Sequence, residues 1–140
     1  MQKFPGMETP ETLESGVIDP MSTRQYSEEK ANVVPVYTDE SDVAIVTWNL
    51  LPGQENESHM HPYGAHVFVI LEGEGIYIKN QPGTPECKEF PIKAGDTVNI
   101  PRGLVHGIRN TGDKPLSYFA VTTTAGGEYQ RVVDGVVHTY

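Results

Sequence analysis

Short runs of β-branched, aliphatic and aromatic residues recur along this chain, and each run ends at residues that favour turns. Residues 33–37, 43–51 and 65–71 have the composition of β-strands. Pro52-Gly53 ends the second of these runs, and residues 39–42 fit a hairpin connection. The 140 residues include 14 glycines and 11 prolines, and no long amphipathic helix stands out. The sequence therefore predicts an all-β fold of many short strands.

The second half of the chain continues this pattern. Residues 76–79 alternate apolar and polar side chains, as a half-exposed strand does. Residues 97–100 and 116–124 are further predicted strands, residues 72–75 and 111–115 are predicted turns, and residues 80–88 are a predicted loop. Because we find no internal repeat, we expect a single barrel.

Four of the five histidines lie in or beside these predicted strands. Because side chains alternate between faces along a strand, His59 and His61 point toward the same place. His66 follows the predicted turn of residues 62–64 and opens the next apolar run, so it can return its ring to that place. His106 comes from a strand that is distant in sequence. A divalent metal ion fits at the point where these rings meet.

The two histidine regions resemble the two sequence signatures of the cupin family, whose members are small β-barrels. The first region reads Gly53-x5-His59-Met60-His61-x4-His66-x6-Gly73. The second reads Gly95-x5-Pro101-Arg102-Gly103-x2-His106-x3-Asn110. The second matches the family at every defined position, whereas in the first His66 replaces the family's usual glutamate ligand.

The resemblance implies a single cupin β-barrel, which is a double-stranded β-helix of the jelly-roll type. We expect this barrel over residues 33–124, between an N-terminal arm at residues 1–32 and a C-terminal segment at residues 125–140. Either the arm is a partly ordered tail or it packs across a partner subunit. Single-barrel cupins that resemble this chain often dimerise through such a segment, so we expect a homodimer.

The resemblance also implies that one divalent transition metal ion is bound by His59, His61 and His106, with His66 as a fourth ligand. Alternatively, His66 stays uncoordinated and acts as a hydrogen-bonding or acid–base group. Imidazole suits iron, nickel, copper, zinc and sometimes manganese, and we favour iron. Four neutral ligands leave the full +2 charge on the ion, which favours substrates that offer a carboxylate, enolate or phenolate oxygen. We assign His138, outside both motifs, to the surface or to the layer behind the ligands.

The pocket around this predicted site should be apolar. The alternation that turns His66 inward also turns Phe68 and Ile70 inward, and the same rule places Ile108 inside after His106. Arg102 lies beside the turn of the second motif, where it either meets an anionic substrate or is solvated. The sequence identifies no catalytic residue. The predicted pocket residues, including two tyrosines whose hydroxyls can contact substrate, are Tyr63, Phe68, Ile70, Ile108 and Tyr118.

Three functions fit these residues, because the fold alone does not select one. The first is a metal-dependent enzyme that acts on a small organic substrate, as a non-haem iron dioxygenase or related oxidoreductase. The second is redox-neutral Lewis-acid catalysis by an isomerase, cyclase, decarboxylase or lyase. The third is a non-catalytic module that binds a metal or a small ligand.

Charge and composition narrow the range of partners. The formal net charge of −9 disfavours nucleic acid and anionic membranes, because both would repel the protein surface. No stretch approaches the roughly 20 apolar residues of a membrane span. Cys87 is the only cysteine, which excludes an intramolecular disulfide and fits a reducing compartment. We therefore expect a cytoplasmic protein whose ligand is a small molecule.

Overall fold

The computed structural model of the protein describes residues 15–38, 43–123 and 130–139. The regular elements of these residues are strands, apart from one 3₁₀ turn, so the predicted all-β fold is confirmed. The predicted hairpin at residues 39–42 lies outside the described residues. The elements are the 3₁₀ turn Pro20–Thr23 and strands β1 Asn32–Thr38, β2 Val43–Leu50, β3 Glu55–His59, β4 His66–Glu72, β5 Glu74–Lys79, β6 Lys88–Lys93, β7 Thr97–Ile100, β8 His106–Arg109, β9 Leu116–Thr123, β10 Gln130–Val133 and β11 Val136–Thr139.

The strands form two antiparallel sheets and a small hairpin. The first sheet has the order β1-β2-β9-β4-β7, and the second has the order β3-β8-β5-β6. β10 and β11 pair with each other. Buried side chains from both sheets form one hydrophobic cluster, to which the first sheet contributes Phe68 and Tyr118 and the second contributes Tyr77 and Ile108. This arrangement is the double-stranded barrel that the sequence predicted.

The alternation expected along β4 is present. Its inward-facing residues His66, Phe68 and Ile70 are buried, whereas Val67 and Val69 between them are exposed. This strand starts and ends one residue later than predicted. The predicted turn over residues 72–75 is shorter than expected, because Gly73 alone separates β4 from β5. At Gly73 the chain passes from the first sheet to the second with a φ of +83°, in the left-handed region that favours glycine.

The described part of the N-terminal arm packs on the barrel of its own chain. Arg24 and Tyr26 both hydrogen-bond to the carboxylate of Glu72, and Thr23 contacts Thr47 on β2. β1, which follows the arm, pairs with β2 of the same chain. Within residues 15–38, these contacts anchor the arm to its own first sheet. None of the helices in the described ranges has the length and hydropathy of a membrane span.

Candidate metal centre

Four buried histidine rings meet at one end of the barrel. The potential ligand atoms of His59, His61 and His106 all lie within 4.8 Å of one another. The His66 ring centroid lies 4.1 Å from that of His61 and 5.1 Å from that of His106. The structure therefore brings together all four histidines that the sequence singled out, and the ligand atoms of three of them are close enough to share one ion.

These rings come from both sheets and from a connection between them. His59 ends β3 and is the register partner of His106, which begins β8, so the second sheet holds these two rings side by side. His66 begins β4 and presents its ring from the first sheet. The site consequently lies where the two sheets approach each other.

The prediction that His59 and His61 share a strand is wrong. β3 ends at His59, and the next residue, Met60, exchanges two backbone hydrogen bonds with Val132 of β10. The backbone thus pairs with β8 up to His59 and with β10 at Met60. His61 lies in the connection that leads to β4. The backbone N–H of Gly103 donates to the His61 carbonyl at 3.0 Å, which ties this connection to the loop before β8.

Backbone carbonyls select the ligand atom of two of the rings. The Nδ1 atom of His59 lies 2.6 Å from the Glu57 carbonyl oxygen, and Nδ1 of His106 lies 2.9 Å from that of Leu104. A carbonyl can only accept, so each Nδ1 carries the proton and donates it. In the neutral ring the lone pair is then on Nε2, which is the atom left for a metal ion.

The His66 ring contacts a side-chain hydroxyl, whereas the His59 and His106 rings contact backbone carbonyls. Its Nδ1 lies 2.6 Å from the Thr122 hydroxyl oxygen, whereas its Nε2 is buried and has no hydrogen-bond partner. Burial, followed by repulsion from His61 and His106, holds the pKa of His66 well below its usual range. His66 is therefore a neutral imidazole with an unused buried nitrogen beside three other imidazoles. This donor set fits a divalent transition metal ion.

The predicted pocket residues differ in where they lie. Phe68, Ile70 and Ile108 are buried in the core, and the Phe68 ring centroid is 6.5 Å from that of His66. Tyr118 is also buried, and its hydroxyl accepts a 2.9 Å hydrogen bond from the Asn56 side chain. Tyr63 is 40% exposed in the connection before β4. Contact between these side chains and a substrate stays a prediction.

Sequence reasoning missed several residues around the site. Thr122 orients His66, and its signal was a short hydroxyl side chain that continues the inward-facing positions of Tyr118 and Ala120 along β9. Lys79, which is the register partner of His106, and Phe90 line a cleft beside the histidines. Arg102, which the sequence did single out, lines the same cleft. His138 belongs to β11, but its side chain lies outside the described part of the structure.

The model of the family described as Cupin domain matches residues 46–122, which is more than half of the chain. This match contains all four clustered histidines.

Curated relatives agree with this match. The chain is 36% identical over 85 residues to auxin-binding protein 1 of Arabidopsis thaliana, covering 57% of this chain and 41% of the relative. It is 38% identical over 72 residues to the oxalate-binding protein of Thermotoga maritima, covering 51% and 54%. It is 36% identical over 72 residues to gentisate 1,2-dioxygenase of a Ralstonia species, covering 51% and 19%. The matches thus span about half or less of each relative's length.

Solved structures are also similar. A conserved protein with a double-stranded β-helix domain from Klebsiella pneumoniae has a TM-score of 0.73 and 26% identity, with 86% of this chain and 100% of that chain covered. A predicted oxalate decarboxylase from Thermotoga maritima has a TM-score of 0.59 and 28% identity, with coverages of 67% and 80%.

Proposed function

This chain belongs to the cupin family, and from that premise we propose that it is a metal-dependent enzyme that acts on a small organic substrate. We assign it to the non-haem iron dioxygenases or related oxidoreductases, with His59, His61, His66 and His106 as ligands. The observation that carries this proposal is the convergence of four buried imidazoles, two of which are oriented by backbone carbonyls.

The protein's own residues prepare the site in three ways. The carbonyls of Glu57 and Leu104 fix the tautomers of His59 and His106, so that both rings are ready to bind without reorientation. Burial keeps His66 neutral and therefore able to donate its lone pair. Phe68, whose ring centroid lies 6.5 Å from that of His66, and Ile108, two residues after His106, supply buried apolar side chains next to the site.

A bound iron ion would supply redox chemistry and a Lewis acid for an oxygen-bearing substrate. Because all four ligands are neutral imidazoles, the ion's charge is not offset by the protein, and an anionic oxygen donor is the favoured substrate group. The similarity to gentisate 1,2-dioxygenase supports the oxidative assignment.

Two other functions are also supported by particular relatives. The predicted oxalate decarboxylase of Thermotoga maritima supports a redox-neutral, Lewis-acid reaction. The auxin-binding and oxalate-binding proteins support a module that binds a ligand without converting it. All three functions share the histidine site and differ in the fate of the bound compound, which is oxidised, rearranged or split without oxidation, or released unchanged.

One experiment separates the three. The protein is purified anaerobically without chelator or histidine tag, and its metals are measured by elemental analysis against protein concentration. Near-stoichiometric iron, together with oxygen uptake on adding diketones, thiols or phenolic acids, supports the dioxygenase. Zinc, nickel or manganese with turnover in the absence of oxygen supports the Lewis-acid enzyme. A metal-loaded protein that binds these compounds but converts none supports the binding module, and a protein that takes up no metal contradicts the histidine site.

The expected homodimer and cytoplasmic location stay predictions. Light scattering of the purified chain measures the first, and fractionation of the producing cells measures the second.

A further inference from the structure

A cleft of about 780 Å³ opens between β6 and β7. Each of these strands is one of the two edge strands of its sheet, so the cleft lies where the barrel wall is not closed by backbone pairing. The histidines do not line it, but it adjoins them. Lys79 in its wall is the register partner of His106, and the Leu104 carbonyl on its rim orients the His106 ring.

One wall of the cleft is aromatic. Tyr77 and Phe90 face each other across the β5–β6 pair, with ring centroids 6.0 Å apart and planes inclined by 25°. Tyr77 is buried, whereas Phe90 is 43% exposed. Ile92 and Val98 complete an apolar lining. An exposed ring stacked on a buried one offers a planar ligand an apolar surface that costs little conformational entropy to use.

The cleft also contains two cations, Lys79 and Arg102, that have no carboxylate partner among the described residues. Neither Lys79 nor Arg102 forms an ion pair within the described residues, whereas Arg24, Lys93 and Arg109 each do. Asp96 is the only carboxylate in the lining, and it is engaged with the Lys93 backbone N–H and ammonium group. Two such cations in one cleft of a chain with a net charge of −9 favour an anionic ligand.

We propose that this cleft is the binding subsite for an aromatic carboxylate. Arg102 and Lys79 hold the carboxylate, and the ring packs against Phe90 and Tyr77. This inference rests on the proposed function, since it names the class of substrate that is delivered beside the histidines. Arginine suits this task because its planar guanidinium matches both oxygens of a carboxylate.

The test uses 2-naphthoate and its neutral analogue 2-naphthamide, titrated calorimetrically into the purified full-length protein. We expect naphthoate to bind at least roughly tenfold more tightly than naphthamide, which is the size expected for charge-assisted hydrogen bonds. Arg102→Gln and Lys79→Gln should each weaken naphthoate binding by roughly fivefold to tenfold. Phe90→Ala should weaken both ligands. Matched controls that remove the same charge outside the cleft, Arg109→Gln and Lys114→Gln, should leave both affinities unchanged.

Two results would overturn the subsite. One is no naphthoate binding at millimolar concentrations, and the other is an unchanged Kd in the Arg102→Gln/Lys79→Gln double variant. Elemental analysis of the same samples separates this failure from that of the proposed function. Metal-loaded protein with an unchanged double-variant Kd contradicts the subsite alone. Metal-free protein that binds naphthoate through Arg102 and Lys79 contradicts the metal-dependent enzyme and supports the subsite.

Discussion

Three of the four imidazoles are each oriented by one neighbouring group, and these groups differ in their distance from the histidine along the sequence. His59 and His106 donate Nδ1–H to carbonyls only two residues earlier in the chain. Their ligand geometry is therefore encoded locally and does not depend on a bound ion. His66 depends on Thr122, which is distant in sequence.

This difference predicts the effect of removing each ring. His59→Ala or His106→Ala should reduce metal affinity by more than the roughly 10- to 100-fold caused by losing a residue that only orients a ligand. His66→Ala should have a smaller effect, because it leaves intact the group of His59, His61 and His106, whose ligand atoms lie within 4.8 Å of one another. Affinity is measured by competition with a chelator, and an unfolding curve for each variant confirms that it is folded. Unchanged affinity in His66→Ala would place this ring outside the coordination sphere, whereas full metal retention in His106→Ala would contradict the site.

Burial of His66 should also make stability depend on pH. In the unfolded chain this histidine titrates near its ordinary pKa of about 6.5, whereas in the fold burial and two neighbouring histidines lower the pKa well below that value. Below about pH 6.5 the unfolded chain therefore binds more protons, and the free energy of unfolding falls as pH falls toward the folded pKa. Urea denaturation of metal-free protein at pH 7.5 and pH 5 measures this loss. The loss should be smaller in His66→Asn, and an identical loss in both proteins would count against a buried neutral His66.

At the scale of strands, the one-residue connection between β4 and β5 is tightly constrained. Gly73 has a φ of +83°, and a Cβ there would overlap the Pro115 carbonyl and lie 2.8 Å from Leu116 Cα. Gly53 has a similar φ of +85°, but no described atom beyond its own and those of its two chain neighbours lies within 4 Å of the position of its Cβ. The two glycines thus share a backbone conformation and differ only in the space around them.

Gly53→Ala should therefore reduce the free energy of unfolding by about 1–2 kcal/mol, which is the cost of a left-handed conformation. Gly73→Ala should lose a further ~1–3 kcal/mol, because the added methyl group forces the β9 backbone to move. Urea denaturation of the two variants and the wild type measures both values. Equal losses would show that the β4–β5 connection relaxes around the methyl group.

Strand periodicity predicted the inward-facing residues well, because alternation is a local property. Phe68, Ile70 and Ile108 are buried as expected. The failures came where partners distant in sequence decide the outcome. His61 lies beyond the end of its strand because Met60 pairs with β10, and Lys79 lies opposite His106 because β5 pairs with β8 in one particular register. Neither pairing is visible in a run of neighbouring residues.

At the scale of the whole molecule, the histidines connect the two sheets. His59 and His106 belong to one sheet and His66 to the other, so an ion bound by all of them would join the sheets at one end of the barrel. A ligand that binds only the folded state stabilises that state by mass action, by ~2.7 kcal/mol at a free concentration of 100 times Kd.

Metal removal should consequently lower the Tm of the wild-type protein. The measurement compares calorimetric scans before and after treatment with chelator, and again after readdition of iron or zinc. His106→Ala is the matched control, because its Tm should not respond to chelator. A wild-type Tm that is the same with and without metal would mean that the ion does not bind preferentially to the fold.

The described part of the N-terminal arm is attached to the outer face of the first sheet. Glu72 at the end of β4 accepts hydrogen bonds from Arg24 and Tyr26. Thr47 and Ser117, on the strands next to these contacts, are fully buried although they face away from the core. The described part of the arm therefore shields polar side chains of the sheet from water, and its attachment should contribute to the stability of the barrel.

Tyr26 provides a way to measure that contribution. Burial, and then its hydrogen bond to Glu72, raises the pKa of Tyr26 to about 12. In the unfolded chain this tyrosine loses its proton near pH 10, so between about pH 10 and 12 the folded state binds more protons and the free energy of unfolding falls as pH rises. Tyr26→Phe should show a smaller fall between pH 9 and pH 11 in urea denaturation, and the exposed-residue control Tyr63→Phe should behave as the wild type does. If Tyr26→Phe and the wild type lose the same stability over this range, the hydroxyl is not buried against Glu72 and the arm is not attached there.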